Sequence, residues 1–122
     1  LDVLVVGDFF RSTGYPVADR NNGGSFRGIA DALGVAIGKA GAATRVVPGH
    51  GPISNRAGLI EQRDILVASI DAVEKLVRSG QTVEQVLAAK PTAAFDDRVP
   101  QGAQNAERFV RGLYTELAAE KR

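Results

Sequence analysis

Cysteine and methionine are absent from this 122-residue chain, and histidine occurs once. Without cysteine there is no disulfide, no thiolate nucleophile and no thiolate metal site. A net charge of +1 leaves no electrostatic footprint for nucleic acid, and no basic run or aromatic–basic interleaving occurs. No apolar stretch is long enough to span a bilayer. These absences lead us to expect a soluble protein with no nucleic-acid or membrane partner, and they leave its compartment, cytoplasmic or periplasmic, open. Position 1 is leucine. We therefore expect a cleaved, truncated or fused chain with a region ahead of Leu1, because leaders are seldom trimmed to the first residue of a core strand.

What is present suits one folded domain. Hydrophobic residues at 44% and charged residues at 24% match ordinary globular proteins, and the length supports a modest core. Residues 1–6 form a short β-branched run that predicts a strand, and its lack of alternation predicts burial on both faces. Gly7-Asp8 follows, placing a carboxylate where sheet-based sites form. Residues 11–24 read as a loop carrying Tyr15-Pro16, Asp19 and Gly23-Gly24. Ser25 is a plausible cap for a helix with Phe26, Ile29, Leu33, Ile37 and Ala40 on one face. Residues 44–47 predict a second strand. It runs into Pro48-Gly49-His50-Gly51-Pro52, read as a shaped loop presenting the single imidazole.

Further helices follow. One is capped by Ser54 or Asn55 and buries Leu59, Leu66, Ile70, Val73 and Val77. Its charged residues, Arg63 and Glu74 among them, read as a solvated face. Thr82 and Gln85 form a capping box for a short helix that breaks at Pro91. Residues 92–103 read as irregular, and a last helix carries Ala106, Phe109, Val110, Leu113 and Leu117 on one side, with Glu107 and Arg111 paired.

Strand, helix, strand is a βαβ unit when both strands share a sheet. Asp8 and His50 then lie at neighbouring strand ends. A carboxylate beside an imidazole suits metal coordination, or a dyad that still needs a nucleophile. Arg11, Arg20 and Arg27, on and beside the loop, allow an anionic substrate. A sheet of two doubly buried strands has two open edges and needs something to cover it.

At these residues the chain resembles a known family. The segments are Leu4-Val5-Val6-Gly7-Asp8-Phe9, Tyr15-Pro16, Asp19, Gly23-Gly24 and Arg45-Val46-Val47-Pro48-Gly49-His50-Gly51-Pro52. Together they resemble the C-terminal half of a metallo-β-lactamase-fold metallohydrolase, closest to the broad bacterial group of such hydrolases. The resemblance covers residues 1 to about 99, with residues 100–122 as a C-terminal helix and 1–122 as a single half-domain. It implies an α/β fold that is half of an αββα sandwich, with few strands and flanking helices. It also implies a zinc or other divalent metal site in the intact parent, using metal-bound hydroxide on a small-molecule substrate. Asp8 would match the aspartate bridging two metals and His50 the final histidine ligand. Asp19 would at most orient a ligand or order the loop. The family's His-x-His-x-Asp-His motif does not occur here. Two ligands are too few for a stable zinc site, so the isolated chain is expected to be inactive. The partner would be the missing N-terminal half or a second chain. Two other readings stand beside this one: a non-catalytic module that associates through its open sheet edges, and a homodimer that shares Asp8 and His50 from both copies.

Overall fold

Two parallel strands joined by a helical crossover set the architecture. The structure, a computed structural model, describes residues 2–120, with every side chain among them but that of Asp8. Strand β1 (Val3–Arg11) leads through a loop into helix α1 (Phe26–Lys39), which returns the chain to β2 (Arg45–His50). Val3 lies opposite Arg45, Leu4 opposite Val46 and Val5 opposite Val47. The expected βαβ unit is present, since parallel strands need such a crossover. Then follow α2 (Arg56–Arg78), α3 (Val83–Ala89), α4 (Ala93–Asp96) and α5 (Gly102–Glu120). Among the described residues the fold is mixed α/β with a two-stranded sheet.

Helix α1 packs on β1 and against α2, α2 packs on α5, and α5 gathers α3 and α4. Leu33, Val46, Leu59, Leu66, Val73 and Leu113 meet in the core with no exposed surface. Burial of one such leucine contributes about 1.5–3 kcal/mol relative to leaving it in water. The stripe read from the sequence on α2 is buried as expected, and so are Phe109, Val110, Leu113 and Leu117 on α5.

Local signals set the helix starts. The Ser25 hydroxyl accepts from Gly28 N at 2.9 Å, and Asn55 Oδ1 accepts from Gly58 N at 3.0 Å. Each satisfies an N–H that the first helical turn leaves without an intrahelical partner. Thr82 and Gln85 close their capping box reciprocally.

Four expectations need correction. First, the strands are longer than read. Gly7 does not end β1; it adopts φ +65°, and the strand continues to Arg11. Leu1, where the sequence reading began the strand, lies outside the described residues, as do residues 121 and 122, which that reading placed in the last helix. Second, among the described residues the sheet is covered on one face only. Val6 and Val46 are buried against the helices, whereas Val3 is 47% and Val5 72% exposed. The outer edge of β2 is partly closed, because Val46 exchanges two backbone hydrogen bonds with Ser54, at 2.9 and 2.8 Å. Third, residues 92–103 are not wholly irregular: α4 forms one turn and α5 begins at Gly102. Fourth, two α2 charges leave the solvated face. Arg63 is half-buried beside Gly34 and donates to the Ala30 carbonyl at 3.2 Å. Glu74, also half-buried, pairs with Arg27 at 2.7 Å.

Candidate functional site

The strand ends carry the candidate residues, and the register brings them together. Gly7 is opposite Pro48, and the next aligned pair is Arg11 with His50. Between those pairs β1 has three residues, Asp8, Phe9 and Phe10, where β2 has only Gly49. The strand is therefore bulged between Gly7 and Arg11, the stretch that includes Asp8. Bulges bend a strand and re-aim its side chains, and they are enriched beside functional sites. Asp8 and His50 thus lie within one short stretch of adjacent strands, which in a sheet run about 4.8 Å apart. The Asp8 side chain lies outside what the structure describes.

His50 is the last residue of β2, not the tip of a loop, and it is exposed. Its carbonyl accepts from Ser12 N at 3.1 Å, and the Ser12 hydroxyl donates to the Pro52 carbonyl at 2.8 Å. Gly51 explains part of the Pro-Gly-His-Gly-Pro sequence. It sits at φ +101°, and a Cβ there would collide with Ser12 Oγ and come within 2.7 Å of Thr13 Cγ2. Only glycine lets the segment after His50 lie this close to the turn after β1.

The intervening loop is anchored at two points. Tyr15 is buried, stacks on Phe109 with ring centroids 4.3 Å apart, and donates its hydroxyl to Asp96 Oδ1 at 2.6 Å. Burial first, and then the bond to Asp96, hold this phenol well above its ordinary pKa. Asp19 is exposed and orders the loop: its carboxylate accepts from Asn22 Nδ2 at 2.7 Å, and its carbonyl accepts from Gly24 N at 2.7 Å.

The three arginines noted in the sequence have different fates. Arg20 pairs with Glu116 at 3.3 Å, and Arg27 pairs with Glu74 and Glu120. Arg11 joins no ion pair among the described residues, and its Nε is buried without a hydrogen-bond partner.

Gln62 was not singled out by sequence reasoning. Its amide bonds both backbone groups of Arg11 and so fixes the end of β1. The available signal was its place between Leu59 and Leu66 on the buried stripe of α2, where a polar residue needs a partner.

Among the described residues, no group of three or more His, Asp or Glu side chains gathers at metal-binding distance. Comparison with protein-family models, curated proteins and solved structures finds no match for this chain.

Proposed function

We propose that this chain is the C-terminal half of a metal-dependent hydrolase of the metallo-β-lactamase type. Asp8 and His50 are its two contributions to the metal site. The observation carrying the reading is the bulged parallel pairing that sets Asp8 beside the Pro48–His50 stretch. The donor types fit: carboxylate oxygen and imidazole nitrogen suit zinc and similar divalent ions. The number does not fit for this chain by itself, since stable zinc sites take three or four protein ligands. The remaining ligands then come from an N-terminal half that also covers the bare valine face of β1.

A divalent ion at such a site supplies Lewis acidity and acidifies water. Asp8 would hold the ion through its carboxylate, and His50 through its imidazole. The Ser12 bonds to His50 and Pro52 keep the ligand-bearing strand end in place. Asp19 orders the loop through its bonds to Asn22 and Gly24. The substrate is a small molecule with a hydrolysable bond.

Metal analysis of the intact polypeptide tests this reading. Stoichiometric zinc or another divalent ion is expected, falling in Asp8→Ala and His50→Ala, with further histidines at metal-ligand spacing upstream. Metal content below stoichiometry, or unchanged by both substitutions, overturns it.

A second reading, a partner-binding module without catalysis, is favoured by the exposure of Val3 and Val5 on the uncovered sheet face. It expects a metal-free dimer or heteromer by light scattering, and a stable monomer counts against it.

A further inference from the structure

Just past the end of β1 lies a cavity of about 290 Å³, lined by Arg11, Ser12, Gly58, Glu61, Gln62 and Arg98 among others. We propose that it is an oxyanion subsite, in which the guanidinium groups of Arg11 and Arg98 receive a carboxylate or phosphate group. Arg11 carries the argument. Its Nε is buried and has no acceptor, whereas buried donors in native proteins are nearly always satisfied. It is a cation without a carboxylate partner among the described residues, although Arg20 and Arg27 both have one. Its backbone is clamped by Gln62 on both its N–H and its carbonyl, so the guanidinium is presented from a fixed base. A guanidinium fork matches the two oxygens of a carboxylate or phosphate.

Arg98 supplies the second charge. It pairs with Glu61 at 3.1 Å, but both side chains are more than half exposed. Surface pairs of this kind contribute little, so Arg98 can exchange Glu61 for an incoming oxyanion. The Ser12 hydroxyl is already committed to the Pro52 carbonyl. Arg11 and Arg98 against Glu61 leave a net charge of +1 on these lining groups.

The volume lies at the lower end of what whole-ligand sites use, so the cavity suits a small acid or the acidic end of a larger molecule. Arg11 is the register partner of His50. That adjacency makes the bound group the anionic end of a hydrolase substrate, an assignment that rests on the reading above; binding of the anion itself does not.

Amide NMR titration of the 122-residue chain, in metal-free buffer at low ionic strength, tests the proposal. Inorganic phosphate and acetate are the two probes. Saturable shifts of the amides around Arg11–Gly14 and Gly58–Gln62 are expected with at least one probe, and the stronger response tells phosphate from carboxylate chemistry. Arg11→Gln and Arg98→Gln should each weaken binding about tenfold, the loss expected for a charge-assisted hydrogen bond. Glu61→Gln should tighten it, because a like charge is removed and Arg98 is released. No saturable shift with either probe up to about 50 mM, a concentration that detects even millimolar affinities, overturns the proposal. So does binding that survives both arginine substitutions unchanged. Arg98 is exposed, so its variant remains informative even where Arg11→Gln fails to fold. Anion binding is read on metal-free chain by amide shifts and the metal reading on the intact polypeptide by metal content, so failure of the metal reading and failure of the subsite are distinguishable.

Discussion

Gln62 holds Arg11 by both of its backbone groups: Nε2 donates to the Arg11 carbonyl at 2.6 Å, and Oε1 accepts from Arg11 N at 3.2 Å. A side-chain amide here does the work of a neighbouring strand. Gln62→Leu keeps the volume but leaves both groups without partners. A loss of about 1–3 kcal/mol is expected, the usual cost of unsatisfied part-buried polar groups. Urea denaturation measures it, and an unchanged midpoint would show that water replaces the amide.

Gly51 and Gly23 both have positive φ, +101° and +83°, but only Gly51 has atoms where a Cβ would go. Gly51→Ala should therefore cost more than Gly23→Ala. Backbone strain alone is of order 1 kcal/mol in each, and collision with Ser12 and Thr13 adds to the first. Equal melting temperatures for the two variants would contradict the close approach of the segments after β1 and β2.

Glu116 is buried, and its two oxygens accept from Phe26 N at 2.7 Å and Arg27 N at 3.1 Å. It caps α1 from another helix. Glu116→Ala leaves two helix-terminal donors and Arg20 without this partner, so a loss of about 3 kcal/mol is expected. Glu116→Gln retains one acceptor and should lose roughly half as much. If the two variants are equally stable by calorimetry, the cap is not what Glu116 contributes.

Tyr15 sets an alkaline dependence. Its pKa is raised in the folded state, chiefly by burial, so the folded chain holds this proton more tightly than the unfolded one. The resulting stability is complete below about pH 10 and is lost as pH rises toward the folded value. Tyr15→Phe should cost about 1 kcal/mol at neutral pH from the lost bond to Asp96. The gap between wild type and variant should narrow above pH 10. A gap that stays constant to pH 11, measured by urea midpoints, would contradict the burial argument.

Much of the fold was legible because its signals are local. Ser25, Asn55 and Thr82 cap helices within three residues of themselves, and the apolar stripe of α2 reads directly from spacing. The βαβ order, and hence the approach of Asp8 to His50, followed from topology. The strand lengths did not. Gly7 carries the backbone conformation of a turn while remaining inside β1, and Pro48 and Gly49 continue β2 despite their usual breaking role. Glu116, Gln62 and Arg63 were hidden for another reason: each bonds backbone on a distant element, and no local pattern announces such a partner. The bare face of β1 was hidden because a run of valines carries no mark of whether a second layer is there.

The bond from Glu116 to Phe26 spans 90 residues of sequence. The first turn of α1 is thus completed only after α5, near the far end of the described chain, has docked. Contacts of such separation form late and slow the search. During synthesis the crossover helix emerges with Ser25 but long before Glu116 can reach its first two amides. The amides of Phe26 and Arg27 should accordingly be among the last to gain exchange protection in refolding, and they should lose it with α5 when the chain opens from that end.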